Sequence, residues 1–328
     1  MNSKKDLLSN CIEGFQFARA LAAFELERST PLDISIEPLG KDFFARVCGV
    51  SFKSPPSGGV KKTIVEAINK YSVLVFPDAA PTEEEHLAFG RAFGELQLTS
   101  SSVSGKRKRR IRAEFADVSN LDLNGRVLPA DSRLAHNKQA NQLWHSDASF
   151  RKTPSKFSFL AGIRLPPSGG ETEFVDLRAV WDALPEKTKQ ECEGKIAVHS
   201  LLASRRRVGF HDFNEEERAA YSHAPHPLAR VHPGSGRKCL FVGSHADFID
   251  GNDEVTGRQF LDELLEFATQ ERFIYSHKWT PGEVIMWDNR CVIHRGRPWD
   301  MSVIREMRRV TVDGDGPTVV DGSIVPGI

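Results

Sequence analysis

Val284-Ile285-Met286-Trp287-Asp288-Asn289-Arg290-Cys291-Val292-Ile293-His294 is the stretch on which the fold reading turns. Val284 to Trp287 is a short apolar run of the kind a fully buried strand shows. Cys291-Val292-Ile293 extends that strand to a histidine. Gly296-Arg297-Pro298-Trp299-Asp300 can turn the chain, and Arg305–Val312 can return as an antiparallel strand. Outward from this stretch, similar runs recur at Ile34–Pro38, Ala45–Gly49, Val73–Phe76, Phe157–Ile163, Glu173–Val175, Ile196–Ser200, Leu228–His232, Cys239–Gly243 and Ile274–Lys278. Helical stretches interrupt them at Lys61–Tyr71, Leu87–Phe93 (behind a Thr82-Glu83-Glu84-Glu85 cap), Leu177–Leu184, Glu186–Cys192, Glu215–Tyr221 and Gly257–Thr269. The pattern predicts a mainly β protein with helical insertions, closed or double-sheeted, and not alternating βαβ units.

Composition narrows the class. The 328 residues carry 44 basic and 44 acidic side chains, so the global basic excess of a nucleic-acid binder is missing. The five cysteines (Cys11, Cys48, Cys192, Cys239, Cys291) are scattered and contain no CxxC. That argues for a reducing, cytoplasmic setting and against a cysteine-zinc site. No apolar run approaches the roughly 18–20 residues of a membrane span. Residues 1–31 read as an amphipathic helical extension, 32–315 as the main domain and 316–328 as a Gly/Pro-rich tail. The basic run Lys106–Arg112 reads as a loop between core strands that carries ligand contacts; a nucleic-acid patch is the sharper alternative.

The chemistry lies in a few spacings. In Leu143-Trp144-His145-Ser146-Asp147-Ala148-Ser149-Phe150, an extended backbone points His145 and Asp147 the same way. His294 is the distant third candidate. Two imidazoles and one carboxylate occupy one face of an octahedral Fe(II) and leave the other open. By itself His-x-Asp is weak evidence, because His245-Ala246-Asp247 copies it. The first copy leads into an apolar strand, the second into a turn-rich run, so His245 is kept only as a pocket residue. Period two places Arg305, Met307, Arg309 and Thr311 on one strand face. Two inward guanidiniums ask for anions, as a fork on a carboxylate would supply; an exposed or salt-bridged Arg309 is the alternative. Thr172, after the Gly169-Gly170 turn, offers a hydroxyl donor.

With these residues in place the chain resembles the taurine dioxygenase / dichlorophenoxyacetate dioxygenase family of Fe(II)- and α-ketoglutarate-dependent oxygenases. The resemblance covers roughly residues 32–315. It rests on YSVLVFPD, FGRAFGEL, DVSNLDLNG, LWHSDASF, PPSGGETEFVDLRAVWDAL, VHPGSGRKCLFVGSHA, VIMWDNRCVIHR and REMRRVTVDG, in that order. The phenoxyacetate type looks closer: taurine-type enzymes have a substrate-binding His at the start of the VLVF-like strand, where this chain has Ser72. The resemblance implies a double-stranded β-helix, or jelly-roll, cupin-like core. It implies His145, Asp147 and His294 as iron ligands, and Thr172 and Arg305 as the clamp on the distal carboxylate of α-ketoglutarate. It implies Arg309 at the substrate's acidic group, with Asn141, Ser149 and His245 near the substrate. The implied reaction consumes O2 and α-ketoglutarate, releases succinate and CO2, and hydroxylates a small anionic substrate. An aryloxyalkanoate so treated falls apart into a phenol and a keto acid. The same chemistry on a sulfonate, sulfate ester, amino-acid derivative or natural-product acid is the alternative, ahead of a non-catalytic jelly-roll binder or a nucleic-acid oxygenase. A homo-oligomer is also an expectation from the family, and a membrane partner is not.

Overall fold

The computed structural model describes residues 34–40, 43–99, 108–215, 218 and 223–325. The proposed N-terminal helix, residues 106–107 of the basic run and most of the 215–221 helix lie outside them. The largest sheet has seven strands, in the spatial order β1 (Ser35–Pro38), β2 (Ala45–Cys48), β3 (Val73–Phe76), β13 (Val284–Asp288), β5 (Ser155–Arg164), β15 (Glu306–Asp313) and β4 (Phe115–Ser119). Among the described residues only the β2–β3 pair is parallel. A second sheet holds β12 (Tyr275–His277), β6 (Thr172–Asp176) and β14 (Val292–Gly296), all antiparallel. A third holds β11 (Ala246–Ile249), β7 (Ile196–His199) and β8 (Ala224–Pro227). Two short pairs complete the set, β9 (Ala229–Val231) with β10 (Lys238–Leu240) and β16 (Val319–Val320) with β17 (Ser323–Ile324).

Alternation explains how the large sheet is covered on both sides. Val73, Val75, Leu160, Ile285, Trp287 and Met307 point one way and join Phe174, Val175, Val292 and Ile293 of the second sheet in one core cluster. The Phe174 and Trp287 rings meet edge to face at 5.7 Å. The opposite face packs aromatic residues: Phe76 and Phe159 lie against Phe89 of the helix Glu83–Arg91. That helix starts on a full capping box at Thr82 and Glu85, as its sequence predicts. Trp287 is wholly buried; truncating such a side chain costs about 3–5 kcal/mol.

Two local expectations are corrected. The run from Val284 to His294 is not one strand. It reverses at Asp288–Cys291 and enters two different sheets. Asp288 makes the turn: its carboxylate accepts from the Arg290 backbone N–H at 2.9 Å and from the Arg290 guanidinium at 2.9 and 2.6 Å. An Asp side chain that bonds its own backbone two residues on is a turn former, even between apolar runs. Consequently β15 does not return against the His294 strand; it pairs with β5 and β4. The C-terminal tail is also built in, through the β16–β17 pair and a buried Thr318 bonded to His226 Nδ1 at 2.6 Å.

Candidate active site

His145 and His294 are brought together by backbone pairing. Each N–H donates to the other's carbonyl, at 3.0 and 2.9 Å, in an isolated antiparallel bridge. Directly opposed residues of such a pair project to the same side. Ser146 adds an Oγ–H bond to the Val292 carbonyl at 2.7 Å. Beyond His145 the chain is not a strand. It enters a turn in which Ala148 takes a left-handed φ of 50°, a conformation that costs a non-glycine residue on the order of 1 kcal/mol. Asp147 therefore meets the two rings through a turn rather than through strand alternation.

The three donors converge. Nε2 of His145 and Nε2 of His294 lie 3.8 and 3.9 Å from the same Asp147 oxygen, Oδ1. One ligand atom from each residue fits within 4.8 Å of the others. His145 Nδ1–H donates to the Leu143 carbonyl at 2.7 Å, which fixes the tautomer and leaves the Nε2 lone pair toward the cluster. Burial holds His145 below its ordinary pKa and His294 well below, which favours the neutral form of both rings. Burial pushes the Asp147 carboxyl up. Arg309 overrides this, with help from both imidazoles, and keeps it below the usual carboxylate range. Arg309 Nη1 touches Asp147 Oδ1 directly.

Three residues outside the predicted set hold Asp147 in place. Its N–H donates to Asn289 Oδ1 at 3.1 Å, and Ser158 Oγ–H donates to its Oδ2 at 2.7 Å. Asn289 donates in turn to Ser158 at 2.9 Å and accepts from Trp287 Nε1–H at 2.9 Å. Asn289 sits in the Asp288–Cys291 reversal, so the corrected turn is what delivers it. The only signal in the sequence was its place between two strand-like runs.

A second pair forms an anion cradle. Arg305 is 4 % exposed and forms no ion pair among the described residues. Its Nη2 donates to the Gly170 carbonyl at 3.1 Å, while its Nε is buried with no hydrogen-bond partner. Burial lowers it to about 10, with Glu171 opposing. A cationic donor left unpaired in the interior calls for an anion. Gly170 has φ +73°, and a Cβ there would stand 3.0 Å from Arg305 Nε, so the turn admits only glycine comfortably. Trp299 lies under the guanidinium at 5.0 Å. Thr172 receives a hydrogen bond from Trp279 Nε1–H at 2.9 Å, which leaves its own hydroxyl proton for an acceptor.

Two cavities meet at the triad. The larger, about 390 Å³, is lined by His145, His294, Thr172, Arg305, Arg309 and Asn141 among others. The smaller, about 160 Å³, is lined by Asp147, His145, His245, Arg309, Asn141 and Phe150 among others. Arg309 and Asn141 thus face both. Ser149 lines neither cavity. It is buried behind His245, bonded to His245 Nδ1 at 2.9 Å and His199 Nδ1 at 3.2 Å. Ser72 also lines neither cavity: its Oγ–H donates to Asp176 Oδ2 at 3.0 Å beside Arg178, so that position carries no substrate information here. In the described part of the basic run, Arg110 pairs with Asp117 and Glu306, Arg112 with Glu84 and Glu114, and Arg109 donates to the Thr99 hydroxyl at 2.8 Å.

A further three-donor cluster, His232, Asp288 and Cys291, is buried under the turn. His232 Nε2 already bonds Asp288 Oδ2 at 2.9 Å, Arg290 holds both carboxylate oxygens, and burial drives the Cys291 thiol well above its ordinary pKa. These contacts describe a satisfied structural network.

Comparison with known proteins follows the same lines. The family model described as taurine catabolism dioxygenase TauD, TfdA family matches residues 35–311. An α-ketoglutarate-dependent 2,4-dichlorophenoxyacetate dioxygenase of Cupriavidus pinatubonensis is 42 % identical over 284 residues, 87 % of this chain and 99 % of that protein. An (S)-phenoxypropionate/α-ketoglutarate dioxygenase of Sphingobium herbicidovorans is 33 % identical, covering 85 % of this chain and 95 % of its own. Among solved structures, AAD-2 in complex with Mn(II) and N-oxalylglycine superposes with a TM-score of 0.81 at 40 % identity, over 88 % of this chain and 99 % of that one.

Proposed function

This chain belongs to the TauD, TfdA family of dioxygenases, and from that premise we propose that it is an Fe(II)- and α-ketoglutarate-dependent enzyme acting on an aryloxyalkanoate, which it cleaves to a phenol and a keto acid. The observation that carries the reading is the shared oxygen of Asp147: two neutral imidazole nitrogens face it at 3.8 and 3.9 Å, at the junction of two cavities. The donor set fits Fe(II), with His145, Asp147 and His294 as its ligands and one coordination face left open. The jelly-roll reading of the fold is supported by the two sheets that share one core and by the taurine-type structures of similar fold.

When bound, iron with α-ketoglutarate and O2 supplies the oxidising power that replaces a substrate C–H by C–OH and releases succinate and CO2. The chain's own residues select and orient. Arg305 and the Thr172 hydroxyl take the distal carboxylate of the keto acid, which satisfies the unpaired Nε. Arg309 holds the substrate's carboxylate, drawn from its contact with Asp147. Asn141 stands on the wall common to both cavities, and His245, edge-on to His145 at 5.8 Å, closes the smaller one with Ser149 behind it. Apolar walls exclude water from the reacting carbon. Hydroxylation next to the ether oxygen gives a hemiacetal, and its collapse frees the phenol.

A panel of aryloxyacetates, sulfonates and nucleic acids, followed by succinate and phenol release, tests this. Equal amounts of succinate and phenol from an aryloxyacetate are expected. Succinate release stimulated by a sulfonate and by no aryloxyalkanoate would contradict the substrate class.

A further inference from the structure

The larger cavity holds a cation that neither the triad nor the keto-acid cradle uses. Lys138 ends the helix Arg133–Lys138, seven residues before His145, and lines the same wall as Ser119, Leu128 and Ala135. Its ammonium is half-buried and, among the described residues, has a single hydrogen-bond acceptor, the Ser119 carbonyl at 2.5 Å. An ammonium carries three donors. Asp117, the carboxylate whose charge acts on it, is already gripped by Arg110 at 2.9 and 2.8 Å and accepts from Ser119 Oγ–H at 2.5 Å. Arg110 also reaches Glu306, which Arg164 and Arg308 share, and Arg308 reaches Glu83. Among the described residues, three carboxylates in this network therefore face four cations, and Lys138, the one at the cavity wall, is in ion-pair contact with none of them.

The cavity has room for a ligand there. At about 390 Å³ it exceeds what a ten-heavy-atom keto acid fills, since one water takes roughly 10–15 Å³ on the same measure. Val118, Leu128, Ala130, Ala135 and Met301 give it an apolar stretch of wall, beside the amides of Asn120, Gln139 and Gln142. The smaller cavity instead is ringed by Gln97, Glu114, Arg151 and Arg205. A substrate anchored on Arg309, which faces both, finds a place for an arene only in the larger.

We propose that Lys138 is a specificity-determining residue: it turns the apolar annex into a subsite for an aromatic ring bearing a second anionic or strongly hydrogen-bond-accepting oxygen substituent, remote from the carboxylate on Arg309. This rests on the aryloxyalkanoate reading above. Burial lowers the Lys138 ammonium while Asp117 opposes the shift, and a ligand anion would strengthen the charged form further.

The test is binding, read without turnover. Phenoxyacetate and 4-carboxyphenoxyacetate are titrated anaerobically into protein loaded with Fe(II) and α-ketoglutarate, following perturbation of the visible charge-transfer band, in wild type, Lys138→Met and Lys138→Arg. Lys138→Met is expected to weaken the carboxylated acid at least about tenfold and phenoxyacetate less than about twofold, with Lys138→Arg restoring most of the difference. Equal weakening of both acids, no weakening of either, or a shift confined to α-ketoglutarate affinity would overturn the assignment. If phenoxyacetate perturbs the wild-type band but discrimination does not depend on Lys138, the subsite alone fails. If neither acid perturbs it, the aryloxyalkanoate reading fails and the subsite with it.

Discussion

The chain writes His-x-Asp twice, and the two copies fold into different things. In His145-Ser146-Asp147 the carboxylate is 3 % exposed and meets both imidazoles of the triad. In His245-Ala246-Asp247 the histidine is buried against Ser149, while the carboxylate turns out to Arg206 at 2.9 Å. The register of β11 against β7 is irregular between Ala246 and Phe248, so Asp247 sits at a bulge, and bulges re-aim side chains. In the first copy Ser158 holds the carboxylate, Asn289 accepts from the Asp147 backbone N–H, and His294 arrives by backbone pairing. The tripeptide is common to both. What sets the first copy apart is what reaches it from β5, the 288–291 turn and β14.

The contrast can be broken at several points. The largest effect is expected at the ligand itself: Asp147→Ala should abolish iron binding and lower turnover by more than about a hundredfold, beyond what loss of an outer partner costs. It also leaves the Arg309 guanidinium without its carboxylate, but that side chain lines both cavities and can be solvated, so chemical denaturation should show a stability loss of only about 1 kcal/mol. Arg305→Ala removes a buried charged partner and should weaken α-ketoglutarate by at least about thirtyfold, corresponding to roughly 2 kcal/mol or more, measured by titration of the iron-loaded protein. Asn289→Ala should leave the fold intact and weaken iron by about 10–100-fold; unchanged iron affinity would show that Asp147 is placed without it. At the second copy, Asp247→Ala removes a partly exposed ion pair. It should change stability by no more than about 1 kcal/mol and leave iron binding and turnover untouched. A loss of iron there would erase the distinction between the copies.

Much of this was legible because period and punctuation agreed. The apolar runs Val73–Phe76 and Val284–Asp288 are strands, and Thr82 to Glu85 is a capping box, as their residues state. Arg305 and Arg309 read as inward by period two, and both line the larger cavity. Three things were hidden. The reversal at Asp288 is a side-chain hydrogen bond inside a stretch whose hydrophobicity reads as continuous. The delivery of Asp147 depends on a left-handed Ala148, where composition gives no glycine to announce a turn. Ser149, which the resemblance puts near the substrate, is sent behind His245 by the same turn. Spacing along the chain locates the neighbourhood of a site; hydrogen bonds between distant segments decide which atoms face it.

One measurement tests the central claim most directly. Fe(II) is titrated anaerobically, with α-ketoglutarate present, into wild type, His145→Ala and Asp247→Ala, and the visible charge-transfer band is recorded. The band is expected in wild type and Asp247→Ala and is expected to be lost in His145→Ala. Indistinguishable bands in wild type and His145→Ala would contradict it, because iron would then be held somewhere other than at His145, Asp147 and His294.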